Sequence, residues 1–161
     1  MISRCFQLIG HLSVPLMVGF LATLAVYDGM DMWYDSLEKP FFTPPASVFA
    51  PVWSVLYLLM GWSSYRVYQK YDGFGEFIRS LPAMSYAIQL SLNFSWTVIF
   101  FALREPGIAF IEILLLLGAI SAMVWNFWKT DRMAGWLQLP YVVWTLFAAV
   151  LNAFIWVLNS F

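Results

Sequence analysis

Five apolar stretches, each close to the roughly 20 residues that cross a bilayer as a helix, leave this chain few folds to choose from. They run from Phe6 to Tyr27, Val48 to Gln69, Leu81 to Leu103, Gly107 to Trp128 and Gly135 to Asn159. The breaks "KYDGFGEF", "REPG" and "KTDRMAG" separate the later ones. In hydrocarbon an open chain satisfies its own backbone only as helix, so the pattern predicts an all-α membrane protein, a five-transmembrane-helix bundle. Only 11% of residues are charged, against about 25% in soluble domains, which excludes an ordinary soluble globule. Arg4 before the first stretch raises the possibility of a signal peptide. The run exceeds the usual ~7–15 residue core and its cleavage signal is weak, so a retained helix is expected. Spans and connectors together account for nearly all of residues 1–161, as one domain.

Arg4, Arg66, Lys70, Arg79, Lys129 and Arg132 fall on one side of these spans, and Lys39 and Arg104 on the other. That bias predicts a cytoplasmic N-terminus, with the C-terminus and the long first loop across the membrane. A net charge of -1 without a basic cluster argues against nucleic acid as a partner. Cys5 is the single cysteine, so no intramolecular disulfide can form. No metal-ligand spacing, phosphate loop or nucleophile motif occurs, and neither a bound metal nor conventional catalysis is expected. His11, the lone histidine, reads as a packed or hydrogen-bonded side chain in preference to a haem ligand.

Polar and aromatic residues inside the spans line up. Gln89, Asn93, Trp96 and Phe100 share one helical face, as do Trp144, Ala148, Asn152 and Ile155, and Trp53, Tyr57, Met60 and Ser64. Amides on such stripes serve ordinary interhelical bonding, the reading favoured for Gln89, Asn93 and Asn152 taken alone. Large rings at Trp53 and Trp144 suggest instead a cavity for a flat apolar ligand. Glu112 lies within the fourth span, where pairing or snorkelling is expected ahead of proton transfer.

The first loop, "WYDSLEKPFFTPPASVFAPVW" from Trp33 to Trp53, is rich in proline and aromatics. Pro40, Pro44, Pro45 and Pro51 predict that regular helix is excluded over most of it. Trp33, Tyr34, Phe41 and Phe42 must bury their rings, and a cavity mouth would serve. The loop therefore reads as a lid, with an interfacial aromatic belt as the alternative.

"WYDSLEKPFFTPP", "QLSLNFSWTVIFF" and "LPYVVWTLFAAVLN" together resemble the tryptophan-rich sensory protein/translocator protein family (TspO/MBR), over essentially the whole chain. The resemblance implies a five-helix membrane protein, often dimeric, that binds porphyrin, haem, sterols and benzodiazepine-type molecules as ligands and requires no cofactor. It implies a pocket under the first loop, bounded by the second and fifth helices. Trp53 and Trp144 match the family tryptophans linked to light-dependent porphyrin breakdown, a tentative catalytic role. Tyr34, Pro44, Tyr57, Asn93, Trp96, Phe100 and Ala148 match other lining positions, and Trp33, Phe147 and Asn152 join the ligand-binding set. Phe42 stands where relatives often carry Trp, and "LNAFIWVLNSF" lacks the basic residue of the animal sterol motif. The expected role is sensing, transport or light-dependent degradation of tetrapyrroles. The alternative is a non-catalytic sterol or lipid-ligand transporter, or a scaffold acting through a partner. Gly118 and Ala122, a small-xxx-small pair, are the expected homodimer contact, with packing inside the bundle as the alternative.

Overall fold

In the computed structural model, which describes residues 2–26 and 30–160, the spans are helices and no strand occurs among the described residues. Helix α1 is Ile2–Val26, α2 Met30–Ser36, α3 Ala46–Tyr68, α4 Phe74–Phe77 and α5 Leu81–Thr97. A π-helical segment, Val98–Ala102, continues α5, and α6 (Pro106–Thr130), α7 (Arg132–Trp136) and α8 (Leu139–Leu158) follow. Four stretches are long and apolar enough to cross a bilayer: Arg4–Val26, Ala46–Tyr68, Pro106–Thr130 and Arg132–Leu158. The stretch expected as the third span is the 17-residue α5 with its five-residue π extension. Tyr27, the expected end of the first span, lies outside the described residues.

Lipid is as apolar as a leucine side chain, so burial alone does not hold helices together here; close packing and polar bonds do. Helix α6 supplies the centre, with Ile113, Leu116, Ile120, Met123 and Phe127 buried at helical spacing. Its opposite face, with Ile111, Leu114, Leu115 and Trp125, is exposed. Helices α1 and α3 run antiparallel. Gln7 Nε2 donates to Tyr68 Oη at 3.3 Å, and His11 Nδ1 bonds Ser64 Oγ at 2.9 Å. Between these contacts and the cavity end, Gly61 lies against α1, where an added Cβ would come within 2.6 Å of the His11 carbonyl oxygen.

Each end of the bundle has its own clasp. Asp131 caps α7 by accepting from the Ala134 N–H at 3.0 Å, and its carboxylate receives Arg66 Nη2 at 2.9 Å with Lys70 Nζ at 3.8 Å. Burial pushes the Asp131 pKa up, but the Ala134 N–H and the Arg66 and Lys70 cations outweigh it and hold the group below its ordinary value. At the other end the Asn159 amide bridges both backbone groups of Glu38, accepting from its N–H and donating to its carbonyl at 3.0 Å each. The first loop is thereby fastened beside the end of α8.

Three expectations need correction. The prolines do not exclude helix over most of Trp33–Trp53: α2 extends to Ser36 and α3 begins at Ala46, so the irregular part is 37–45. Pro45 is the N-cap of α3 and Pro51 sits in its second turn, where the missing N–H costs one backbone bond. Phe41 buries nothing, being 101% exposed, whereas Phe42 packs edge-on against Phe154 and Phe147. Glu112 neither snorkels nor pairs. It is 7% exposed, and neither carboxylate oxygen has a partner among the described residues, because α6 turns this position inward with Ile113 and Leu116.

Candidate ligand-binding site

The polar stripe of α5 organises the middle of the bundle. Tyr57 Oη donates to Asn93 Oδ1 at 2.8 Å, and Asn93 Nδ2 donates to Tyr141 Oη at 3.1 Å. Tyr141 Oη then donates to Gln89 Oε1 at 3.0 Å. One chain of bonds thus links α3, α5 and α8, with every member buried. A second tie lies nearer the first loop. Asn152 Oδ1 accepts from Trp96 Nε1 at 3.0 Å while its Nδ2 donates to the Pro106 carbonyl at 2.8 Å. Asn152 therefore joins α8 to α5 and α6.

Above the Tyr57 ring, toward the first loop, a cavity of about 480 Å³ opens between α1, α3, the α5–π segment and α8. That volume falls in the range of small-molecule sites, ~300–1,000 Å³. Its walls are aromatic. Trp53 stacks on Tyr57 with ring centres 5.6 Å apart, and Trp96 stacks on Phe100 at 5.2 Å. Trp144 meets Phe49 edge-on at 5.8 Å. Phe100 and Phe101 both reach the cavity from the π segment, a distortion that recurs at functional sites.

Most polar side chains on these walls are already engaged, although the buried Trp144 Nε1 has no partner among the described residues. Thr23 Oγ1 donates to the Gly19 carbonyl, Ser54 Oγ to the Ala50 carbonyl, and Thr97 Oγ1 to the Asn93 carbonyl. Tyr57 and Asn152 are spent in the bonds above. Tyr34, at the loop end of the cavity, differs: the Lys39 ammonium stands 4.6 Å from its ring centre. Burial and the neighbouring Asp35 carboxylate raise the Tyr34 pKa, so its hydroxyl is kept protonated.

Of the residues expected from the sequence, Trp53, Tyr57, Trp96, Phe100, Trp144 and Asn152 lie on the cavity wall, together with Tyr34 and Ala148. Four lie behind or outside it. Trp33 packs on Phe100 at 5.6 Å, Phe147 on Trp144 at 5.5 Å, and Asn93 holds Tyr57 from behind. Pro44 belongs to the irregular part of the loop. His11 lies in the α1–α3 seam, away from the cavity. Sequence reasoning missed the contribution of α1. Gly19, Ala22, Thr23 and Val26 line the cavity, and their i, i+3, i+4, i+7 spacing was the available signal.

Helices long and apolar enough to cross a membrane, packed around an aromatic chamber, define an all-helical integral membrane protein. The sequence profile of the TspO/MBR family matches residues 11–157. The translocator protein of Ovis aries is 39% identical over 150 residues, covering 92% of this chain and 87% of that protein. The tryptophan-rich protein TspO of Archaeoglobus fulgidus is 34% identical over 154 residues, covering 96% and 97%. The tryptophan-rich sensory protein of Cereibacter sphaeroides is 36% identical over 122 residues, covering 76% and 73%. The chain belongs to the TspO/MBR family.

Proposed function

We propose that this protein binds a tetrapyrrole, or a similarly flat apolar molecule, in the aromatic chamber, and acts in its sensing, transport or light-dependent degradation. The observation that carries the reading is the chamber itself: about 480 Å³, walled by Trp53, Trp96 and Trp144, with most of its hydroxyls and amides turned into the protein. A porphyrin ring offers two large π faces for such walls, while its propionates need polar groups, available at Tyr34 and Lys39 by the loop. In this reading α5 with its π extension completes five spans. The N-terminus faces the cytoplasm, and the Asn159–Glu38 clasp lies on the opposite side.

Protoporphyrin IX titrated into the protein in nanodiscs should quench tryptophan fluorescence. Trp53→Phe combined with Trp144→Phe should remove most of that quenching, because both indoles border the chamber. Undiminished quenching in the double variant would place the ligand elsewhere. Illumination of the complex in oxygen then separates the roles: loss of the porphyrin absorption band at a rate tied to Trp53 and Trp144 means turnover. A stable band means a binder or carrier.

The homodimer belongs to the same reading. Gly118 and Ala122 are exposed on α6, and an added Cβ at Gly118 meets nothing within 4 Å, so this face is not spent on intrachain packing. Gly118→Leu should shift a dimer toward monomer in detergent while leaving the helical circular dichroism signal intact. An unchanged mass distribution would exclude this contact.

A further inference from the structure

We propose that the chamber opens sideways into the bilayer, through a gap between α1 and α3, and that its apolar ligand enters and leaves by this gap. The inference rests on the ligand-binding reading above and adds the route.

The α1–α3 seam is closed along only part of its length. Gln7–Tyr68, His11–Ser64 and the backbone contact at Gly61 zip one end together. A further contact lies at Gly19, where an added Cβ would collide with the Tyr57 ring. Beyond it the chamber begins, and the two helices present a different surface. On α3, Ala46, Ala50 and Ser54 recur every four residues, and all three both line the chamber and are exposed on the outside. On α1, Thr23 and Phe20 do the same, Phe20 being 63% exposed.

Exposed residues that also line the chamber gather on α1 and α3: Phe20, Thr23, Ala46, Ala50 and Ser54. The opposite wall has no exposed lining residue: Phe100, Leu151, Asn152 and Ile155 are buried, and Trp96, Thr97, Phe101, Trp144 and Ala148 are half-buried. The first loop covers the end, where Tyr34 packs near Phe101 with ring centres 5.7 Å apart. Among the described residues, the exposed part of the wall lies within the membrane-crossing lengths of α1 and α3, so it faces hydrocarbon. Its rim is chemically suited to that solvent. Ser54 and Thr23 return their hydroxyls to their own helices, which leaves methyl and methylene surface in the gap. Small side chains on α3 make the slot, and the Phe20 ring stands across it on α1. A flat aromatic molecule dissolved in lipid can therefore pass edge-first without being hydrated, so no cost of transfer through water arises.

The route is tested by stopped-flow fluorescence in nanodiscs with protoporphyrin IX as probe. Ala46→Leu combined with Ala50→Leu narrows the slot and should lower association and dissociation rates together, each by about tenfold. Phe20→Ala widens it and should raise both. Val55→Leu, on an exposed part of α3 that does not line the chamber, should match the parent. Unchanged rates in both slot variants would overturn the route, as would a fall in Ala46/Ala50 rates matched by an equal fall in Val55→Leu. If the parent fails to bind protoporphyrin IX, the functional reading falls. The same variants read with diphenylhexatriene, an uncharged dye confined to lipid, then decide the route. Failure of that dye to quench or excite with the chamber tryptophans in the parent would overturn the inference as well.

Discussion

Gly61→Ala should destabilise the protein, whereas the same substitution at Gly10 should stabilise it. At Gly61 an added methyl would stand 2.6 Å from both the His11 carbonyl oxygen and the Leu12 Cα, atoms of a neighbouring backbone that cannot rotate away. Relief requires α1 and α3 to separate, which stretches the His11–Ser64 bond as well. Overpacking of this kind costs ~1–3 kcal/mol. At ~2–4 °C per kcal/mol for a chain of this size, the melting temperature in detergent should fall by about 3–10 °C. Gly10 lies in α1, beside His11, with nothing within 4 Å of an added methyl, so there only the helix-propensity gain of ~1 kcal/mol remains. Thermal denaturation of the two variants should therefore diverge in sign. Equal melting temperatures would mean that the two backbones are not in contact at Gly61.

Asn93→Leu should be the most damaging single polar change in the bundle. Its amide accepts from Tyr57 and donates to Tyr141, and all three groups are buried. Leucine has a similar volume, so the loss is not one of space. The Tyr57 hydroxyl is left without an acceptor, and the Tyr141 oxygen loses a donor while keeping its own bond to Gln89. Stranding a buried donor costs ~1–3 kcal/mol, somewhat less where the unfolded chain in the membrane finds other partners. A fall in melting temperature comparable to that of Gly61→Ala is expected. Ser91→Leu, on the exposed face of the same helix, should shift it far less. Because Tyr57 forms the floor of the chamber, Asn93→Leu should also weaken porphyrin-dependent quenching. Retained quenching at full strength would show that the floor is held by packing alone.

Periodicity made the inward faces legible. Trp53–Tyr57–Met60–Ser64 and Trp144–Ala148–Asn152–Ile155 each turn toward the interior because a 3.6-residue repeat leaves them no choice. Side-chain partners were not legible from the same pattern. Asn152 sits on the chamber wall, yet its amide joins Trp96 to Pro106, a tie that depends on where α6 begins. Glu112 was misjudged for a related reason: composition registers a carboxylate in a span but not the rotation of its helix. The share of α1 was hidden because Gly19, Ala22 and Thr23 are small and carry no chemical signature. Prolines misled in the first loop because Pro45 and Pro51 occupy the opening turns of α3, where the helix tolerates them.

Most hydroxyls and amides of the chamber are turned into the protein, with Tyr34 at the loop end and the unpartnered Trp144 indole N–H as the exceptions among the described residues. Sites that demand a hydrogen bond reject an analogue lacking it by ~10⁴–10⁵, because a buried group would be left unpaired; a wall made mostly of rings and methyls exercises little of that veto, and its apolar contacts separate near neighbours by only ~10–200-fold. Thr23, Ser54, Tyr57, Thr97 and Asn152 ask nothing of a ligand, since each is satisfied before one arrives. Molecules with little functional chemistry in common can then compete for one space, provided they are thin enough to lie between indoles. In the ligand-binding reading, selectivity would rest mainly on thickness and perimeter.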